Sequence, residues 1–387
     1  MVSDSTTNDQ SSSRPAALAT DRIKDGPEPG GAPVSYEFHT EFSEVAAIGA
    51  EWDELLSRSR CNRAFACSKW FMAAPVMFPE LRALVIVARR AGRIAGILPL
   101  VADVRGRKAG FANDFSDHRD VICQDDDFAV VTGLVDVALS GAGPWSYDTL
   151  ILRSLLPDSN LLRAIQMLES RADGQGLSVT RTSYVYGYVD LRQGYGEYLK
   201  TLSRNFRHNL NRVRNKAERH GLVVRELAPV DLEPAQLPET FLSLHLRRIG
   251  PETVFKSSSW LNTLLPSLFA ERRLRVFAVL DKERIVALHL AMAGPKSLFG
   301  WNGGFLKDQE PFAPGRLLYD AVMRQSAAEG LPEYDFGYWE GIEYKDDWKL
   351  APRDNLELEI GVPRASSGLS IEPGNCNTDS GEDDDMI

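Results

Sequence analysis

The sequence predicts an α/β (α+β) fold of two similar units in tandem, each a mixed central sheet flanked by helices. Strand-length apolar runs alternate with helix-length amphipathic ones between two polar tails. The order of these elements repeats from one half of the 387-residue chain to the other. One hairpin is also nearly written twice. Leu84 to Ile97 and Leu274 to Leu288 are each an apolar strand, a tight charged turn and a second strand opening Arg-Ile.

The boundaries fall where composition changes. Residues 1–34, rich in Ser, Asp and Pro, and the acidic residues 364–387 read as disordered tails, because they carry too little apolar surface to offset the entropy of ordering. An N-terminal domain is expected over 35–190 and a C-terminal one over 191–363. In the first, strands are expected at Val34 to His39, Leu84 to Ala88, Ile94 to Val104, Thr149 to Arg153 and Ser178 to Val189. Its helices are expected at Val45 to Leu56, Ser68 to Met77 with Ser68 as cap, Phe128 to Leu139 and Asn160 to Arg171. In the second, helices are expected at Gly196 to His220, Leu237 to Arg248, Trp260 to Glu271 and Gly315 to Glu329. Its strands are expected at Leu222 to Glu226, Leu274 to Leu280, Ile285 to Ala293, Leu298 to Trp301, Tyr334 to Phe336 and Leu356 to Ile360.

Composition excludes several classes. Apolar residues make up 43% and charged residues 25%, an ordinary globular balance. No apolar run reaches the ~20 residues that span a bilayer, and no charged-then-apolar leader opens the chain. A cytoplasmic protein without a membrane span is expected. Cys61, Cys67, Cys123 and Cys376 show no ligand spacing, so reduced thiols and no bound metal are expected. The net charge of −10 includes −6 after Arg364 and −2 within residues 1–34, leaving a core near −2. That core offers little basic surface for nucleic acid. There is no GxSxG, HExxH, P-loop or GxGxxG, so triad hydrolases, zincins, kinases and dinucleotide-binding dehydrogenases have no support.

Three segments carry chemistry. In Ser203 to His220, Phe206, Leu210, Val213 and Ala217 make one apolar stripe, and the remaining surface is basic. Arg204, Asn205 and Arg207 open this helix, where unsatisfied amides also favour anions, and are candidate substrate-binding residues. Pro314, Gly315 and Arg316 open another helix directly after the glycine-bearing strand end Gly300 to Phe305. Pro fixes the entry and Gly lets the amides approach a phosphate, so these three are candidate donor-binding residues, and Trp301 and Asn302 beside them are candidate substrate-binding residues. Tyr334 to Trp348 is aromatic and acidic for a connecting loop, which suits a cleft wall. Asp335, Glu340 and Glu343 are candidate general bases, Lys345 a candidate for neutralising an oxyanion, and Tyr338, Trp339 and Tyr344 candidate substrate contacts. His289, His245 and His118 read as satisfied interior histidines.

These segments, in this order, resemble the CelD-like acetyltransferase family, a GNAT-superfamily branch related to FemAB-type aminoacyl transferases. The resemblance runs through Arg204 to Leu210, Leu274 to Asp281, Ile285 to Ala287, Gly300 to Phe305, Ala313 to Leu318, Glu333 to Gly337, Glu343 to Lys345 and Trp348. In the first half it is carried more loosely by Trp52, Phe65 to Trp70 and Arg93 to Leu100. It implies tandem GNAT-like folds and transfer of an acyl group from acetyl-CoA or another acyl-CoA, a co-substrate with no permanent cofactor. The acceptor it implies is an amine or hydroxyl of a sugar- or amino-acid-type molecule, in exopolysaccharide or cell-envelope synthesis. The Ala313 to Leu318 stretch falls where GNAT proteins cradle the CoA pyrophosphate, and Lys345 where Fem-type relatives keep a lysine near the transferred group. Where the usual GNAT loop reads Arg/Gln-x-x-Gly-x-Gly/Ala, this chain has Ala-Pro-Gly-Arg. An aminoacyl-tRNA donor therefore stays open as an alternative, as does a non-catalytic GNAT-fold binding protein.

Overall fold

A computed structural model describes residues 33–112, 116–124, 127–140, 147–170, 177–250, 255, 259–339 and 341–362. Of the two tails expected to be disordered, residues 1–32 and 364–387 lie outside the described residues, as does Cys376, whereas Val34 already opens a strand. The first half runs β1 (Val34–His39), α1 (Phe42–Ala47), α2 (Gly49–Ser57), α3 (Ser68–Phe71), α4 (Ala74–Met77), β2 (Arg82–Arg90), β3 (Arg93–Asp103), β4 (Lys108–Phe111) and β5 (Ile122–Cys123). It closes with α5 (Phe128–Leu139), β6 (Thr149–Leu155), α6 (Asn160–Glu169) and β7 (Val179–Asp190). The second half runs α7 (Tyr195–Thr201), α8 (Arg204–Arg219), β8 (Leu222–Leu227), α9 (Leu237–Ile249), α10 (Leu261–Ala270), β9 (Leu274–Asp281), β10 (Arg284–Ala293) and β11 (Ser297–Phe305). It closes with α11 (Pro314–Ala328), β12 (Glu333–Tyr338), α12 (Glu343–Asp346) and β13 (Ala351–Gly361).

Several boundaries differ from those the sequence suggests, each for a local reason. The helix expected from Gly196 to His220 breaks at Leu202, whose extended backbone lets the Ser203 hydroxyl cap α8 by accepting from Phe206 N–H. The one expected from Ser68 to Met77 is two single turns, and its cap is the Cys67 sulfur rather than Ser68. Val45 to Leu56 is likewise split, at Ile48. β4 and β5 are too short to show a period and were not expected.

The halves repeat strand, helices, meander, helix, strand, helix, strand, and their sheets are one sheet. Its order is β1-β2-β3-β4-β6-β13-β7-β12-β11-β10-β9-β8, with β5 beside β3. Each half has an antiparallel meander followed by a parallel pair, β4 with β6 and β11 with β12. The last strand of each half then crosses over: β13 pairs with β6 of the first half, and β7 with β12 of the second. β7 and β13 pair with each other from Ala351↔Tyr188 to Ile360↔Val179.

Strand β2 is buried on both faces, so its apolar run is continuous rather than alternating. Leu84, Ile86 and Ala88 join the core under α5 and α6, while Val85 and Val87 join the core on the other face. That second core extends through both halves, from Trp52 and Trp70 to Trp260 and Trp348. Trp70 makes edge contacts at 6.3 Å with Trp260 and 5.8 Å with Trp301, tying the halves together.

Candidate active site

Strands β11 and β12 pair in parallel only over Ser297↔Glu333, Leu298↔Tyr334 and Phe299↔Asp335. Beyond that point they diverge. β11 stays with β10 as far as Phe305, and the ladder skips Trp301 between Ala291↔Gly300 and Leu290↔Asn302, a bulge that bends the strand. β12 kinks at Gly337, whose φ of +73° suits glycine, and its register with β7 shifts between Asp335 and Tyr338. The gap between the strands is a cavity of about 410 Å³, walled by Trp301, Phe305, Tyr319, Phe336, Tyr344 and Trp348.

The first turn of α11 closes one side of this cavity through Ala313, Pro314, Gly315 and Arg316. Its N-cap, Ala313, is left-handed (φ 46°, ψ 57°) and has no side chain to satisfy the helix amides. Gly315 is helical, and a Cβ added there would meet nothing within 4 Å. The fold does not require glycine at this position, whereas a ligand approaching the amides closely would. An uncapped helix start, an adjacent bare backbone and the Arg248 and Arg316 guanidiniums on the wall suit a phosphorylated donor such as CoA.

The corresponding place in the first half is filled by the chain itself. The Asp127 carboxylate caps α5 and takes a two-pronged grip from Arg90 at 2.6 and 3.2 Å. The segment from Ser116 to Asp120 lies on the end of β6, with Arg119 N–H donating to Ser154 O at 3.2 Å. The Asp120 carboxylate accepts from Ser159 Oγ and from the Asn160 and Leu161 amides at the start of α6. Among the described residues, the open helix start of the pair is therefore that of the second half.

Lys345 stands at the base of the cavity. Its Nζ donates to Phe336 O at 2.6 Å and to Tyr338 O, the carbonyls on either side of the Gly337 kink. An ammonium has three donors, so one remains for a ligand. Burial pushes the Lys345 ammonium down to about 8, with the charges of Asp335 and Asp117 pulling the other way. Asp335 sits underneath, fully buried. One of its oxygens accepts from Gly337 N–H at 2.6 Å, and the other faces Arg353 Nη1 at 3.1 Å and His118 Nε2 at 3.3 Å. Desolvation raises the Asp335 carboxyl, but His118, Arg353 and the Gly337 amide hold it below its usual value.

The structure thus gathers Trp301, Asn302, Pro314, Gly315, Arg316, Tyr344 and Lys345 around one cavity. It separates others. Asp335 does not line the cavity and lies fully buried beneath the kink. Arg204 and Asn205 are exposed on α8, outside the cavity, as is the half-buried Arg207. Their helix reaches the site through Phe206, whose ring packs on Trp348 at 5.0 Å and under Arg316 at 5.2 Å. Tyr338 meets Tyr186 edge-on at 6.1 Å, and Trp339 Nε1 donates to Asp346 at 2.8 Å, both off the cavity wall. Glu340 and the Glu343 side chain lie outside the described residues. His245 and His289 are satisfied by Gly303 O at 3.1 Å and Tyr334 Oη at 2.6 Å, although His289 also lines the cavity.

Sequence reasoning missed Asp117, Tyr319 and Arg248. Asp117 comes from the first half, accepts from Tyr186 Oη at 2.8 Å, and lies 3.9 Å from where a Cβ on Gly337 would stand. No motif announces it, because only the joined sheet brings it to Lys345. Tyr319 was signalled by its place one turn into α11, on the face that Gly315 and Arg316 share.

Residues 204–350 match the family model described as an acetyltransferase (GNAT) domain. No curated protein matches the chain. Among solved structures, FemX superposes with a TM-score of 0.57 at 12% identity, covering 84% of this chain and 96% of its own. L-PGS from Bacillus licheniformis gives a TM-score of 0.54 at 12% identity, covering 80% and 90%. The fold is therefore a tandem duplicated GNAT-like one, and its second half carries an acetyltransferase-type domain. No described helix is long and apolar enough to cross a membrane.

Proposed function

We propose that this chain is an acyltransferase moving an acetyl or other acyl group from acyl-CoA to an amine or hydroxyl. The observation that carries this reading is the cleft between β11 and β12, with the uncapped start of α11 on one side and Lys345 at its base. The CoA phosphates would lie on the Gly315 and Arg316 amides, near the guanidiniums of Arg316 and Arg248. The acyl group would lie among Tyr319, Phe336 and Tyr344. The nucleophile attacks the thioester carbonyl, the new C–N or C–O bond forms, the C–S bond breaks, and the CoA thiolate leaves. The third Lys345 proton stabilises the oxyanion. The proton released by the nucleophile passes to the departing CoA thiolate, with Glu340 or Glu343 as the general base; Asp117, half-buried and off the cavity wall, acts through its charge on Lys345.

The resemblance to the CelD-like branch supports a sugar- or amino-acid-type acceptor in exopolysaccharide or envelope synthesis, and a cytoplasmic setting. Arg204, Asn205 and Arg207 would meet the acceptor or the far end of the donor at the cavity rim. A domain boundary near residue 190 agrees with the repeat of elements. Isothermal titration with acetyl-CoA tests the reading, and no heat at millimolar ligand would sink it. An aminoacyl-tRNA donor is the second reading, supported by the exposed bases on α8; salt-sensitive tRNA binding without acetyl-CoA binding would favour it.

A further inference from the structure

A second cleft, of about 530 Å³, lies at the other end of the β11–β12 seam from the donor cavity, against Ser297 and Glu333 instead of Gly300 and Phe336. It is lined by the loop Ser57 to Arg63, the turn Pro295-Lys296, and parts of both halves around Asp158 and Arg353. Five cations stand on its walls: Arg58, Arg60, Arg63, Lys296 and Arg353. The acids there are Asp120, Asp158 and Glu333. Each acid is already engaged. Asp120 caps α6, Asp158 pairs with Arg60, and Glu333 holds Arg353 at 2.6 Å. Arg58 faces Glu54 at 3.5 Å across one helical turn, a contact worth little in water. Arg63 and Lys296 have no acidic partner among the described residues.

A buried donor points the same way. Asn62 is 3% exposed, and its Oδ1 accepts from the Ala64 and Phe65 amides at 2.9 and 3.1 Å. Asn62 lines the cleft, and its Nδ2 is buried and without a partner. A buried donor left unsatisfied is costly, and an accepting ligand would recover that cost. Unspent guanidinium and ammonium groups around an orphaned amide donor match an oxyanion with several acceptor lone pairs. The volume exceeds what one inorganic ion fills and falls in the range of small-molecule sites. We infer that this cleft binds a phosphate-bearing small molecule, at a site separate from the donor cavity. The inference does not depend on the chemistry proposed for Lys345.

The test is titration of the full chain with inorganic pyrophosphate and with a nucleoside diphosphate, read by calorimetry and thermal shift. Saturable binding is expected, weakened at least tenfold in the Arg63→Gln, Lys296→Gln double variant. Both side chains are solvent-accessible, so that variant should fold with the parent's circular dichroism. A single Asn62→Asp variant should also weaken binding, by charge repulsion. A Gly315→Val variant, altered in the donor cavity, should keep the binding event that the double variant weakens. Stronger binding of the nucleoside diphosphate than of pyrophosphate would identify the organic part as a contributor, and equal binding would assign the affinity to the phosphates; either fits the inference. No binding, binding unchanged by the double variant, or binding abolished by Gly315→Val would overturn it.

Discussion

A single glycine, Gly337, turns a strand into a lysine holder, and Asp335 beneath it keeps the turn in place. Because Asp335 attracts the Lys345 charge, the two residues make a prediction with a sign. If protonated Lys345 stabilises the oxyanion, kcat should fall as pH rises through about 8, where Lys345 loses its proton. Asp335→Asn keeps an acceptor for Gly337 N–H but removes the charge, so that alkaline limb should move to lower pH. Lys345→Arg should move it up, and Lys345→Met should cost about 10²–10³ in kcat, as for loss of one oxyanion donor. A pH–rate profile unmoved by Asp335→Asn would break the link. At the cavity entrance, Gly315→Val places methyls where a donor phosphate would lie, in space the protein leaves open. The KM for acyl-CoA should rise at least tenfold with the folded state unchanged; an unchanged KM would clear α11 of donor binding.

Helix by helix, the sequence revealed which segments form elements and most of the residues that wall the cavity, because both follow from local period and composition. It misread the charge on α8. Arg214 is not a free cation for a polyanion; with Tyr195 and Arg324 it grips the buried Asp320 of α11. A charge on a helix face has the same sequence signature whether it meets solvent or a neighbouring helix, so only the packing separates the two. Asp320→Ala should therefore detach α7 and α8 from α11. It leaves the partly exposed arginines unpaired at a cost of about 2 kcal/mol, measurable by urea unfolding. Gly304 shows the same principle for the glycine-bearing strand. A Cβ there would stand 2.5 Å from Leu244 C and His245 N, so the glycine serves the packing of α9 on β11, not a ligand. Gly304→Ala should cost about 1–3 kcal/mol. It should also weaken donor binding, because α9 carries Arg248 to the cavity mouth. Loss of stability without loss of donor affinity would show that α9 only packs.

Across the whole molecule, the feature least visible in the sequence is the exchange of β7 and β13. A strand's alternation states which face is buried and says nothing about which neighbour completes its ladder, so the repeat suggested two closed domains where the sheet is shared. The exchange makes the halves interdependent. β13 pairs Leu356 with Leu155 and, on its other edge, with Ser183, while β7 in turn completes the second half through Tyr334↔Val189. Cutting the chain between Asp190 and Tyr195 leaves the first fragment without β13 and the second without β7. Each would expose a central strand edge with unpaired backbone groups, together with the core joined through Trp70 and Trp301. Neither fragment should then fold as a monomer. Produced together they should reassemble, because no covalent link between Asp190 and Tyr195 is needed once the four central strands are paired. Calorimetry of the intact chain should show one transition, with van't Hoff and calorimetric enthalpies equal, despite the two-unit repeat. Refolding should be slow, since ladder partners some 200 residues apart in sequence must meet before either half is complete. Near-ultraviolet circular dichroism of the isolated second fragment gives the sharpest check. A native-like spectrum from a monomer would mean that β13 can close the sheet of its own half without β7.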